Sequence, residues 1–206
     1  MPIRSLREVL DLQAPGLESV RKADTDQDLY RLLLEHYREN ADQIWYEPEA
    51  KNPEFQDETA DMCVDKQIPI REHVVDVSGG YDWLAAPAGD LEDACQMTRM
   101  PYLVNLGQAW WHTGDERYAG EALAMFDDFI THVLPVENDM VNYWQIKRSG
   151  WRALEVACRL NRSWPRALRY LLSYPDFPPR LWAWILYSVH QHAEYLTRYR
   201  WDHGNH

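Results

Sequence analysis

Residues 98–135 read TRMPYLVNLGQAWWHTGDERYAGEALAMFDDFITHVLP, and this stretch decides the fold class. Its apolar residues recur at helical spacing on both sides of Thr113-Gly114, where glycine is a common C-terminal stop for a helix. Asp115 then offers a capping oxygen to a second helix, which Pro135 would end. The stretch therefore predicts two helices joined by a very short turn.

The same helical spacing continues downstream of Pro135. A third helix is predicted around Trp151–Cys158, a fourth opening at Ser163 with Pro165 in its first turn, and a fifth opening at 178–179. The fifth should bury a stripe made of Trp182, Ile185, Leu186, Val189, Ala193 and Leu196. Short connections between helices of similar length predict antiparallel neighbours or stacked helical hairpins.

The fold class is therefore predicted to be all-α. No alternation of strands and helices is visible, which argues against Rossmann-like and TIM-barrel folds. The hairpins also lack the regular period of TPR or HEAT repeats.

The first part of the chain has a different character. One helix is predicted from Asp28 to about Asn40, after the capping oxygens of residues 24–26. Residues 46–90 are acidic and rich in proline, which predicts irregular structure with a short strand or two near Val74–Val77. We therefore divide the chain into an N-terminal helix with an irregular wrapping segment, 1–95, and a helical-hairpin part, 96–206.

Composition excludes several classes of protein. The 206 residues suit one domain or a large piece of one, and no apolar run is long enough for a transmembrane span. Three widely spaced cysteines predict neither a disulfide framework nor a zinc site, and a net charge of −12 argues against nucleic-acid binding. The first sixteen residues contain no apolar stretch of the kind found in a signal peptide.

Charge and aromatic content are uneven. Residues 1–100 carry 10 basic and 22 acidic side chains, whereas residues 147–180 carry eight basic and two acidic ones. This basic zone indicates either a confined anionic partner or a solvated helix face. The ten tryptophans and twelve tyrosines outnumber the four phenylalanines, which suits contact with sugars as well as helix packing.

Four segments, in order, resemble the heparinase II/III-type polysaccharide lyases. They are Tyr81-Asp82-Trp83, the run Arg99–Ala119 with its Thr-Gly-Asp turn, the helix Trp151–Leu160, and Gly204-Asn205-His206. The resemblance covers about residues 80–206. It implies an incomplete (α/α) toroid truncated before its remaining helices, and those helices with a C-terminal β-sandwich are expected in the full-length protein.

The resemblance also implies β-elimination on a uronic-acid glycan. The base removes the C5 proton beside the sugar carboxylate, so the site must neutralise that carboxylate as charge develops. Asn205 and His206 are assigned this catalytic role by resemblance, while the Tyr or His that moves the proton would lie further along such chains. Residues 1–206 would then hold half a site and be inactive alone. Arginine forks and indole faces suit an acidic sugar, and the predicted substrate-binding residues are Arg99, Trp144, Gln145, Trp151 and Arg152.

Other interpretations stay open at this point. Arg99, Arg152 and Arg159 could pair with Glu155 or with helix ends instead of a ligand, and Trp144-Gln145 could pack against the third helix. The domain could be a non-catalytic toroid that binds glycan or protein. It could also be an (α/α) glycoside hydrolase, which needs two carboxylic acids. The available acids are Asp127, Asp128, Glu137, Asp139, Glu155 and Asp176, and none forms a recognisable pair.

No metal or other cofactor is predicted. His190 and His192 lie two apart and point to different sides of a helix, so they cannot chelate one ion together. His203 and His206 are a second pair considered as a metal site, and they supply only two ligands. The expected partner is an acidic polysaccharide or oligosaccharide, and the resemblance implies a periplasmic or secreted location although no signal peptide is visible.

Overall fold

A computed structural model describes residues 6–44, 48–136 and 149–199, and helices dominate it. In chain order the helices are α1 (Leu6–Val9), α2 (Asp26–Glu39), α3 (Ala41–Ile44), α4 (Glu58–Val64), α5 (Leu91–Arg99), α6 (Tyr102–Thr113), α7 (Glu116–His132), α8 (Ala153–Cys158), α9 (Trp164–Leu171) and α10 (Pro179–Arg198). A 3-10 turn spans Val20–Lys22, and a two-stranded sheet joins β1 (Gln67–Ile70) to β2 (His73–Asp76). The predicted all-α class is confirmed.

The predicted hairpin is formed by α6 and α7. Gly114 follows α6 in the left-handed conformation, with φ of 72°, and its N–H donates to the carbonyl of Trp110. The Asp115 side chain then accepts from the N–H of Arg117 at 3.0 Å. With only these two residues between them, α6 and α7 pack as antiparallel neighbours.

Helix α9 packs closely against α6. Gly107 faces Ala167 so tightly that a Cβ placed there would lie 3.0 Å from the Ala167 carbonyl oxygen. Further along, Trp110 Nε1 donates to Ser173 Oγ, so contacts advance in the same direction on both segments. Helices α6 and α9 are thus parallel, which is compatible with a toroid built from helical hairpins.

The fourth helix, α9, begins at Trp164 with Pro165 in its first turn, as predicted, but the side chain of Ser163 does not cap it. The chain runs from α8 through a π-helical turn, Arg159–Ser163, directly into α9. Ser163 has helical dihedrals, and its hydroxyl donates to the carbonyl of Arg99 at 2.6 Å. Pro165 explains the wide turn, because its ring would clash with the carbonyl of Asn161 in a regular helix.

The fifth helix, α10, buries a partly polar face. Trp182 and Ile185 are buried as predicted, but Ala193 is exposed and the stripe continues instead through Ser188 and His192. Tyr195 completes it. The apolar pattern alone missed Ser188 and His192 because their polar atoms find partners inside the protein.

The N-terminal part is more regular than predicted. Helix α2 begins after Thr25, whose hydroxyl accepts from the N–H of Asp28 at 3.1 Å. The hairpin β1–β2 confirms the predicted strands, while α4, capped by Asp57, was missed. Helix α5 crosses residue 95 and one core includes residues from both sides, so the division of the chain stays a prediction. Within the described ranges, no helix has the length and apolarity to cross a bilayer.

Candidate substrate-binding cleft

A cleft of about 460 Å³ opens where the end of α5 and the start of α6 meet the π turn and α9. Besides Ser163, its polar lining consists of amides and arginines: Gln96, Arg99, Asn105, Gln108, Arg162 and Arg166. No carboxylate is among the described residues that line it. The cleft therefore has a positive lining inside a protein of net charge −12.

Arg99 and Arg152 meet at the buried carboxylate of Glu155. Arg99 Nη2 lies 2.9 Å from Glu155 Oε1, and Arg99 Nη1 lies 2.9 Å from the Glu92 carboxylate. Arg152 contacts the same Glu155 carboxylate through Nε, at 2.6 Å, and through Nη2. Burial by itself would raise the pKa of Glu155, but the bonds and charges of Arg152 and Arg99 outweigh it and lower the pKa.

Arg159 lies fully buried behind this cluster. Its Nε donates to His192 Nε2 at 2.8 Å and its Nη1 donates to the carbonyl of Thr98 at 2.8 Å. Together with Ser163, it therefore satisfies carbonyls at the C-terminal end of α5. Burial lowers the pKa of Arg159 to about 9, which still leaves the guanidinium charged at neutral pH.

His192 is held in its neutral form by the same contact. Because its Nε2 accepts from Arg159, the proton must sit on Nδ1, which lies 2.6 Å from the carbonyl of Ser188. Burial and then the charge of Arg159 lower the pKa of His192 well below 6.5. This explains why a histidine occupies the buried face of α10.

Trp151 packs inside the protein beside these residues. It is 1% exposed, its Nε1 donates to the carbonyl of Val133 at 3.0 Å, and its ring lies against His192 and Tyr195. Contact of Trp151 with a sugar stays a prediction, as it does for Arg99 and Arg152.

The other predicted site residues, Trp144, Gln145, Asn205 and His206, lie outside the described residues, as does His203. A pocket of about 230 Å³ is lined in part by Val136 and Tyr199, which directly precede residues 137–148 and 200–206 in the sequence. The catalytic roles of Asn205 and His206 and the binding roles of Trp144 and Gln145 stay predictions.

No metal site is found among the described histidines, cysteines and acids. His192 is buried against Arg159, whereas His190 pairs with Glu194 on the next turn of α10. The three cysteines form no disulfide, and Cys63 and Cys95 are buried. Cys158 is half-buried and lines the cleft.

Several residues of the matched motifs support the fold. Tyr81 donates to Glu121 Oε1 at 2.8 Å, and Trp83 donates through its indole N–H to Asp128 Oδ1 at 2.7 Å. Desolvation, followed by the bond to Glu121, raises the pKa of Tyr81 far above its usual value. Asp128 and Glu155 are thus engaged in structural bonds, which weakens the glycoside-hydrolase alternative.

Sequence reasoning did not single out Arg162 and Arg166, although both lie in the basic zone that it identified. The signal was their spacing of four residues, which places side chains on one side of a helix. The predicted break at Ser163 concealed that they belong to one continuous helical segment.

The fold and cleft define an all-α, toroid-type domain with an arginine-lined depression. Residues 6–206 match the family described as Heparinase II/III N-terminus, so the chain belongs to that family.

Similar proteins point the same way. Heparin-sulfate lyases from Bacteroides stercoris and Pedobacter heparinus are each 28% identical to the chain over 96% of its length. The crystal structure of heparan sulfate lyase HepC from Pedobacter heparinus superposes with a TM-score of 0.81 at 26% identity over 98% of the chain. In each comparison the chain spans about a third of the relative, 31–33%.

Proposed function

We propose that this chain is the N-terminal portion of a polysaccharide lyase that cleaves uronic-acid-containing glycans by β-elimination. The observation that carries the proposal is the family match over residues 6–206, because its relatives are named as heparin-sulfate lyases. The acid-free, arginine-lined cleft supports an anionic ligand of the same kind. The substrate class we infer is an acidic glycosaminoglycan or an oligosaccharide of it.

The chemistry requires a way to neutralise the sugar carboxylate. Removing the C5 proton adds negative charge beside a group that is already ionised, so the barrier falls only if donors stabilise the developing dianion-like state. We assign this role to Asn205 and His206, whose amide and imidazole can both donate hydrogen bonds. The general base and acid, the remaining toroid helices and a β-sandwich would come from other parts of the full-length protein.

Arg99 and Arg152 are proposed to act at the edge of this site together with Trp144, Gln145 and Trp151. Their forks are held in place by Glu155, so little side-chain entropy would be lost when a ligand arrives. Arg99 is the more accessible of the two, with 16% of its side chain exposed.

The proposal is tested by incubating the full-length protein with heparan-type and other uronic-acid polymers. A lyase generates the absorbance of the unsaturated product as each bond is cleaved. A hydrolase would release reducing ends without that absorbance, and a binding module would give neither signal. Either of these results would overturn the proposed reaction.

One substitution tests whether the Asn-His pair takes part in the reaction. Asn205→Ala in the full-length protein should abolish product absorbance while binding and thermal unfolding stay close to wild type. An exposed amide elsewhere, Gln43→Ala, is the matched control and should keep full activity. Full activity in the Asn205 variant would remove this residue from the mechanism.

A further inference from the structure

The basic zone of residues 147–180 separates into two groups in the structure. Most of its described arginines are used internally: Arg152 binds Glu155, Arg159 binds His192, Arg169 binds Asp42, and Arg180 stacks on Trp184. Arg162 and Arg166 differ from them. Both are exposed, and neither makes a hydrogen bond, ion pair or ring contact with the described part of the chain.

The two arginines face one cavity. The π turn feeds directly into α9, so Arg162 and Arg166 sit four residues apart on a continuous segment and line the same 460 Å³ cleft. Like charges at this spacing repel each other and disfavour the helix. No neighbouring carboxylate in the cleft offsets this repulsion, so the charge pair is available for an external anion.

The part of the cleft lining that belongs to α6 offers hydrogen-bond acceptors. Asn105 donates its amide to Asp57 at 2.8 Å, and Gln108 donates its amide to Glu49 at 3.1 Å. These bonds orient both side chains and leave their carbonyl oxygens as acceptors. Hydroxyl groups of a sugar can donate to such oxygens, whereas a bare sulfate ion has no proton to offer.

We propose that Arg162 and Arg166 form an anion subsite that holds a sulfate or carboxylate group of an acidic saccharide, while Asn105 and Gln108 accept from its hydroxyls. The identity of the ligand rests on the proposed function and deepens it by naming the residues that select an acidic sugar. Arginine forks bind both groups bidentately, so the two anions share one recognition chemistry.

The test measures binding by calorimetry on the full-length protein carrying Asn205→Ala, so that turnover does not consume the ligand. The probes are a heparin oligosaccharide, the matching oligosaccharide without sulfate groups, and sodium sulfate as a competitor. The double variant Arg162→Ala/Arg166→Ala should bind the heparin oligosaccharide at least about tenfold more weakly, the loss expected for one charge-assisted hydrogen bond.

A matched control removes the same charge elsewhere. Arg31 and Arg117 are also exposed, and Arg31→Ala/Arg117→Ala should bind the oligosaccharide like the parent. A loss confined to the sulfated probe identifies sulfate as the group held, and an equal loss for both probes identifies the carboxylate. Sodium sulfate should weaken oligosaccharide binding to the parent more than sodium chloride at equal ionic strength.

Two results would overturn the subsite: unchanged binding in the Arg162/Arg166 variant, or an equal loss in the control. Far-UV circular dichroism shows whether the alanine variant keeps its fold. The variant Arg162→Lys/Arg166→Lys keeps the positive charges and should retain part of the affinity, so the two controls separate loss of the site from loss of the fold. Binding is measured without turnover. If the Asn205→Ala protein binds through these arginines while the wild-type full-length protein yields no unsaturated product, the lyase proposal is refuted and the subsite stands.

Discussion

Glu155 shows how one buried carboxylate organises the interior near the cleft. It is 1% exposed, contacts Arg99 and Arg152 directly, and acts electrostatically on Arg159. Removing one partner of a buried ion pair is costly because the other charge stays buried without compensation. The cluster is therefore sensitive to single substitutions.

Glu155→Gln should lower the free energy of unfolding by about 3 kcal/mol, because two arginines lose their shared counter-charge. Urea denaturation measures the loss. The control is Glu35→Gln on α2, which removes an exposed ion pair with Arg31 and should cost less than about 1 kcal/mol. Equal losses in the two variants would show that the buried cluster contributes no more than a surface pair.

His192 makes stability depend on pH. The folded protein holds it neutral, with a pKa well below 6.5, while the unfolded chain protonates its histidine near that value. Below pH 6.5 the unfolded state thus binds more protons, and the His192 contribution falls by up to about 1.4 kcal/mol per pH unit. The contribution is fully present above that pH and is lost on acidification.

His192→Gln, which keeps a hydrogen-bond acceptor but does not titrate, should flatten this dependence between pH 7 and pH 5.5. Denaturant unfolding at the two pH values provides the measurement. His190→Gln, two positions earlier on the more exposed side of α10, should leave the slope as in wild type. A slope unchanged by His192→Gln would contradict the assignment.

At the level of elements, the approach of α6 to α9 depends on Gly107. A methyl group there would meet backbone atoms of Ala167 at 3.0 and 3.3 Å, so the two helices would have to separate. Such close approach is possible only for a residue without a Cβ.

Gly107→Ala should therefore destabilise the protein by about 1–3 kcal/mol through overpacking, measured by thermal or urea unfolding. Gly120 on α7 provides the opposite case, because a Cβ there has nothing within 4 Å. Gly120→Ala should stabilise the protein by about 0.5–1 kcal/mol through better helix propensity. Finding the same sign for both substitutions would show that packing at Gly107 does not decide its effect.

Helix boundaries that depend on local chemistry were predictable. Gly114 and Asp115 act through side chains or dihedrals that belong to the neighbouring few residues, so sequence alone located these ends. The cap of α2 was narrowed to residues 24–26, and the helix begins at Asp26, two residues before the predicted start. The π turn was not predictable, because Ser163 followed by Pro165 resembles a helix start. Only the distant carbonyl of Arg99 explains why Ser163 points inward.

On the scale of the whole molecule, a large core includes residues from α2 to α10, so the two sequence parts pack against each other. The family and the all-α fold were accessible from ordered motifs and helical periodicity. The two arginines that we propose to face the ligand, Arg162 and Arg166, could not be predicted, because the basic zone contains both internally paired and free arginines. Separating them requires knowing that Asp42 pairs with Arg169 and His192 pairs with Arg159 across long stretches of sequence.

The unequal environments of the three cysteines have a practical consequence. The thiolate is the reactive form, and burial raises the pKa of Cys63 to about 12, while Cys95 is equally enclosed. Cys158 borders the arginine-lined cleft. A maleimide dye should therefore attach to one position in the native state, giving a single mass increment that Cys158→Ser removes. A fluorophore at that position would lie at the edge of the cleft, and its emission would change when a saccharide binds in the cleft.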